Sequence, residues 1–193
     1  MTQHKPRSLD DRLTFLRAFV KNPRQVGAVL PTSRWAVRDM LDLGDVPNAK
    51  LVVELGAGTG VQTGELLARL APEAELIAVE IDANLATLLA GRYPDPRLRV
   101  VCDSAENLDP YLEGRQADIV VSALPYTSFP PALRRRILDV LPTIVAPGGT
   151  VLVIQYSTFV QNELRKRFEQ VRRRVSPWNV PPAMLFACTR PRS

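Results

Sequence analysis

Histidine is almost missing from this chain: His4, among the polar first residues, is the only one in 193. Cysteine is nearly as scarce, with Cys102 and Cys188 set far apart inside apolar runs. These scarcities exclude a zinc site built on His and Cys ligands, and a Ser-His or Cys-His nucleophile system. The two cysteines read as small core residues of a cytosolic protein, not as a disulfide or metal pair. No run approaches the roughly 18 apolar residues needed to span a bilayer. The basic start, Met1 to Arg7, has no secretory apolar core behind it. Repeats, low-complexity stretches and interdomain linkers are also lacking, so the length suits one domain with a single sizeable core.

Charge is plentiful but segregated beneath a net +5. Residues 1–38 hold eight Lys/Arg against two acids, residues 39–133 six against fifteen, and residues 134–193 eleven against three. Basic ends around an acidic middle point to an anionic partner, nucleic acid or membrane surface. The plainer reading is a solvated surface that keeps the protein soluble.

Apolar strands alternate with helical patterns after residue 50. Strands are expected at 50–55, 75–80, 98–102, 117–122 and 150–156. Helices are expected at 61–70, 84–92, 131–145 and 158–169, and two last strands at 171–176 and 184–189. The link between those two holds Pro177, Pro181 and Pro182 and is too short for a helical crossover, so they form an antiparallel hairpin. The whole reads as α/β: a seven-stranded, mostly parallel sheet with helices on both faces and a C-terminal hairpin. That order resembles the class I, Rossmann-like methyltransferase arrangement. Residues 1–40 are expected as an N-terminal amphipathic and lid segment, and 41–193 as the methyltransferase domain.

Ligands of such sheets bind beyond the carboxyl ends of the strands. The first strand runs into Glu54-Leu55-Gly56-Ala57-Gly58-Thr59-Gly60, whose glycines let a ligand lie on backbone. A glycine loop alone also suits dinucleotides. Glu54 separates the readings: it would repel pyrophosphate but attract the amino and sulfonium groups of S-adenosylmethionine. Glu80, followed by Ile81, closes the second strand and suits both ribose hydroxyls. Asp103, with Ser104 and Ala105 beside it, suits the adenine amine, or alternatively caps the next turn. Gly56, Ala57, Gly58 and Gly60 complete the expected cofactor contacts.

Near the N-terminus, Ser8-Leu9-Asp10-Asp11 reads as a capping box. Leu9, Leu13, Leu16 and Val20 then follow helical spacing, with Phe15 and Phe19 beside them and Arg12, Arg17, Lys21 and Arg24 at the borders. Such a helix either lies in a lipid interface or caps the core. Three more basic clusters, Arg134 to Arg136, Arg165 to Arg167 and Arg172 to Arg174, add to an anion-seeking surface.

Two enzyme sets share the glycine loop together with Ser122-Ala123-Leu124-Pro125-Tyr126. The sequence resembles the ribosomal RNA adenine dimethyltransferases, whose corresponding motif is Asn-Leu/Ile-Pro-Tyr/Phe. It is more similar to the bacterial phospholipid N-methyltransferases, over Phe15 to Val20, Gly27-Ala28-Val29-Leu30-Pro31-Thr32-Ser33, Ser122 to Pro125 and Gln155-Tyr156-Ser157. That resemblance implies stepwise methylation of phosphatidylethanolamine to phosphatidylcholine by a cytoplasmic protein held peripherally at the inner membrane. It also implies that Thr32 and Ser33 pack over the cofactor. Against RNA, Ser122 is read in place of the base-binding asparagine, and no RNA-binding helices are expected after the sheet; nucleic acid is not the expected partner. Tyr126, with the Ser122 side chain and the Leu124 carbonyl, is expected to place the attacking nitrogen. Tyr156 is expected as a second aromatic wall, favouring methylated ammonium by cation–π attraction. Arg34, Thr32 and Ser33 are candidate donors to lipid phosphate.

Overall fold

Strand β1 (Leu51–Leu55) is buried at all five positions, as a strand must be when helices cover both faces of the sheet. Leu51, Val53 and Leu55 enter one core cluster and Val52 the other, which is the two-residue alternation of a pleated strand. The computed structural model describes residues 32–191. Its further strands are β2 (Glu75–Glu80), β3 (Leu98–Cys102), β4 (Ala117–Ser122), β5 (Val145–Gln155), β6 (Phe168–Ser176) and β7 (Ala183–Pro191). The order across the sheet is β3-β2-β1-β4-β5-β7-β6. All pairs are parallel except those of β7, which runs antiparallel to both β5 and β6. The α/β sheet with its terminal hairpin is therefore present as expected.

Six α-helices among the described residues clothe the sheet: α1 (Arg34–Leu41), α2 (Val61–Leu67), α3 (Ala83–Arg92), α4 (Asp109–Leu112), α5 (Pro131–Ile144) and α6 (Gln161–Arg167). On one face α5 buries Leu133, Ile137, Leu138, Leu141 and Ile144 alongside Leu112 of α4 and Leu164 of α6. On the other, α1 buries Ala36, Val37, Met40 and Leu41 beside Leu66 and Leu67 of α2. Helix α4 and, with more consequence for the site, helix α1 add to the elements expected from sequence. Ser33 caps α1, accepting from the Ala36 N–H at 3.1 Å, and the four apolar residues follow helical spacing. The expected division at residue 40 falls inside this packed helix. The expected helix following Ser8, and the Gly27 to Pro31 stretch, lie outside the described residues.

One core assignment needs correction. Cys188 is buried, and burial pushes its thiol up to about 12. Cys102 is exposed, because it ends β3, the outermost strand on its side. No helix among the described residues is long and apolar enough to cross a membrane.

Ile137 on α5 is buried in the core, whereas Leu88 on α3 is exposed. Ile137→Ala should cost about 2–5 kcal/mol of unfolding free energy, while Leu88→Ala should stay within about 0.5 kcal/mol. Urea denaturation of both variants checks this.

Candidate active site

Strand order reverses between β1 and β4, and that reversal opens a crevice at the carboxyl ends. Pairing of Leu55 with Val79 and Ser122, and of Glu80 with Cys102, sets the ends of β3, β2, β1 and β4 side by side. Glu54, Glu80, Asp103 and Ser122 are thus brought to one edge.

Glu54 is wholly buried. Its Oε2 accepts from the Thr63 hydroxyl at 2.7 Å, and its Oε1 has no partner. Desolvation raises the carboxyl from 4.5 to about 7; the Thr63 bonds oppose the rise and the charge of Glu80 adds to it. Sequence reading overlooked the neighbour of Thr63: Gln62 is also buried, and its Oε1 lacks a partner too. Two unsatisfied acceptors therefore sit beside the glycine loop, in β1 and at the start of α2. An amide at the second position of a helix gives no sequence signal of burial.

The loop itself is fixed by close packing. Gly56 donates to the Val79 carbonyl at 2.9 Å, as Ala57 does at 3.2 Å. At Gly56 (φ +77°) a Cβ would lie 2.7 Å from Leu124, and at Gly60 (φ +85°) 2.5 Å from Leu89. Any side chain there would be strained and would collide. At Gly58 a Cβ would meet nothing within 4 Å, and the Gly58 N–H donates to Glu80 Oε2 at 2.8 Å. The other Glu80 oxygen accepts from the Asp82 N–H at 2.9 Å. Each oxygen keeps accepting capacity for a ligand hydroxyl. Ile81 is half-buried after it.

Asp103 is more committed. It accepts from the Ser104 N–H at 2.6 Å, the Asn107 amide at 3.1 Å and the Tyr111 hydroxyl at 2.7 Å. Partial burial works to raise its carboxyl, but these hydrogen bonds prevail and hold it below the usual carboxylate range. The next turn is closed by Ser104, whose hydroxyl accepts from the Glu106 N–H at 3.4 Å and whose carbonyl accepts from the Asn107 N–H at 2.9 Å; Ser104 is half-buried and Ala105 buried.

Residues 122–126 depart most from expectation. Tyr126 is fully buried, edge-on to Phe129 with ring centroids 6.2 Å apart. Its hydroxyl shares a 2.8 Å hydrogen bond with the buried Ser122 hydroxyl. Burial raises the Tyr126 phenol well above its ordinary value. The Leu124 carbonyl already accepts from the Gln155 amide at 2.8 Å and the Tyr126 N–H at 2.9 Å. All three groups expected to place a nitrogen are engaged inside the protein, because the apolar core claims the tyrosine that follows Pro125. Matching Leu124-Pro125-Tyr126 to the RNA enzymes' motif also puts Ala123, not Ser122, at the asparagine position.

Thr32 and Ser33 are held at the same edge. The Thr32 hydroxyl bonds the Tyr156 hydroxyl at 2.9 Å, leaving Tyr156 half-buried past the end of β5. Ser33 donates to the Asn179 side chain and the Trp178 carbonyl, at 2.7 and 2.5 Å. Arg34 is largely exposed, 3.8 Å from Glu65, which Arg38 grips through both oxygens at 2.8 and 3.2 Å.

Residues 52–149 match the family described as the methyltransferase domain. An ornithine lipid N-methyltransferase of Singulisphaera acidiphila is 35% identical over 185 residues, 93% of this chain and 96% of the relative. The chain belongs to the class I S-adenosylmethionine-dependent methyltransferases. Among solved folds, N-methyltransferase NodS of Bradyrhizobium japonicum, in complex with S-adenosyl-L-homocysteine, superposes with a TM-score of 0.73 at 14% identity, over 93% of this chain and 97% of its own. TrmN of Thermus thermophilus gives 0.70 at 17% identity, over 96% of this chain and 54% of its own.

The methyltransferase site fits its cofactor on its own evidence of need. A buried carboxylate oxygen without a partner is costly, and a ligand with a cationic end relieves that cost together with the Glu54–Glu80 repulsion. Without such a ligand, folded Glu54 binds more protons than unfolded Glu54 between about 4.5 and about 7. Stability therefore falls as pH rises through that window and stays lowered above it. Glu54→Gln should raise the unfolding free energy of the ligand-free protein by about 3 kcal/mol at pH 8 and bring it close to wild type at pH 5. Chemical denaturation at the two pH values checks the prediction; a loss of stability at pH 8 would contradict it.

Proposed function

We propose that this methyltransferase N-methylates the amine headgroup of a membrane lipid, with phosphatidylethanolamine and its mono- and dimethyl derivatives as acceptors. The observation that carries a lipid amine is the near full-length relationship to a protein named for lipid N-methylation. It also makes ornithine lipid the second acceptor to test.

Glu54 and Gln62 take the ammonium end of the cofactor, and the Gly56 to Gly60 backbone gives it a surface without side chains. Glu80 receives the ribose hydroxyls. Asp103, Ser104 and Ala105 border the adenine, with Ile81 against its face. When bound, S-adenosylmethionine supplies the methyl group for in-line displacement by the lipid nitrogen. Orientation is then most of what the protein must contribute. The Ser122–Tyr126 hydrogen bond and the Gln155–Leu124 bond keep the 122–126 loop rigid beside the glycine loop. Leu124, touching the Gly56 position, excludes water from the reacting atoms. Tyr156, whose hydroxyl is held by Thr32, is the aromatic residue assigned to the ammonium by cation–π attraction. Losing solvation as it seats, the lipid amine sheds its proton more readily. The protein works peripherally at the membrane surface.

Full-length protein, radiolabelled S-adenosylmethionine and phosphatidylethanolamine vesicles test the reading, with ornithine lipid vesicles and ribosomal RNA as parallel arms. Label is expected in the phosphatidylethanolamine-derived products. Label confined to ornithine lipid would reassign the acceptor. Label in RNA, or none in lipid from protein that binds the cofactor, would overturn the lipid reading.

A further inference from the structure

The carboxyl edge of the sheet carries an apolar rim that the reaction itself does not use. The four residues concerned are large, apolar and exposed: Trp35 at 62%, Trp178 at 63%, Phe159 at 50% and Val180 at 80%. Chain connections gather them. Ser33 bonds Trp178 and Asn179, which sets Trp35 at the start of α1 beside the β6–β7 connection holding Val180. Met184 pairs with Gln155, so that connection lies at the carboxyl end of β5. Phe159 follows that same end by four residues, and Thr32 joins Tyr156 between the two groups.

Basic residues border the rim. The Arg134 guanidinium lies 4.7 Å from the centroid of the Phe159 ring. Arg134, Arg135 and Lys166 line one groove between α5 and α6, of about 420 Å³, with Lys166 paired to Glu163. Arg173 reaches Gln161 at the start of α6 at 3.3 Å. Arg134 thus stands against Phe159, with Arg135 and Lys166 in the groove behind it and Arg173 reaching the start of α6, whereas Arg136 and Arg167 are engaged by Glu106 and by Asp139 and Glu163.

We propose that this rim docks the catalytic mouth onto the surface of an anionic lipid bilayer. Tryptophan prefers the level of the headgroups, where its ring is half in hydrocarbon and its N–H meets water. Arginines around it are attracted to acidic headgroups. An anionic protein partner would use the same charges, but the rim's aromatic make-up at the mouth of a site for a lipid amine favours a bilayer. Docked in this way, the protein receives a headgroup at Tyr156 without extracting the lipid. The inference rests on the lipid reading for its purpose, but its test does not need turnover.

Trp35 and Trp178 are the protein's two tryptophans, so intrinsic fluorescence reports on the rim alone. In buffer, acrylamide should quench both strongly. Vesicles of phosphatidylglycerol and phosphatidylcholine, free of methylatable amine, should shift the emission to the blue, and brominated acyl chains should quench it. Val180→Asp and Phe159→Ser should each weaken vesicle binding about tenfold while cofactor affinity stays unchanged. Vesicle binding with unmoved emission would overturn the proposal and assign binding to another surface. Tryptophans already shielded in buffer would also overturn it, showing the rim covered by the chain itself. Labelled lipid with unmoved emission would sink docking alone; moved emission without labelled lipid would sink only the acceptor.

Discussion

A carboxylate with one unsatisfied oxygen lies at the centre of this molecule, and much of the surrounding structure holds it in place. Glu54 stands at the end of a strand whose other four residues are apolar and buried. Burying an anion there is unfavourable, and the carboxyl responds by rising to about 7. Thr63 satisfies one oxygen from α2. Helix α2 is held in turn by the Glu65–Arg38 fork from α1, while Gly56 and Gly60 bring the loop against Leu124 and Leu89. The site is thus arranged before any ligand arrives, at a cost in stability that a cationic ligand removes.

Helix α1 ties that chemistry to the outer edge. Ser33 bonds the β6–β7 connection, Thr32 bonds Tyr156, and Asp39 accepts from Ser176 at the end of β6. All three contacts join residues more than a hundred positions apart. They bring the hairpin, the last parallel strand and the segment before the domain into one mouth. A single frame therefore holds the Glu54 and glycine-loop edge together with the exposed tryptophans.

What could be read from the sequence was local. The first four strands, the glycine loop, Glu54, Glu80 and the closing hairpin follow from periodicity and turn chemistry and stand where those patterns put them, whereas β5 starts at Val145 and β6 at Phe168, ahead of the expected 150 and 171. Misplaced features depended on tertiary burial. Tyr126 follows a proline at a strand end and reads as a site wall, yet the core claims its ring and Ser122 its hydroxyl. Asp103 reads as an adenine acceptor or a turn cap, and Tyr111 and Asn107 already donate to it from the following turn. Cys102 lies in an apolar run, yet β3 is an outermost strand. Gln62 and the two exposed tryptophans carry no local pattern that announces them.

Calorimetric titration of the protein with S-adenosylmethionine at pH 6.5, in buffers of different ionisation enthalpy, tests the central role of Glu54 most directly. Binding beside Glu54 should release most of one proton, because the carboxyl falls from about 7 as the cation arrives. Glu54→Gln should abolish that release and weaken binding. Tight binding with no proton released by the wild-type protein would contradict the account.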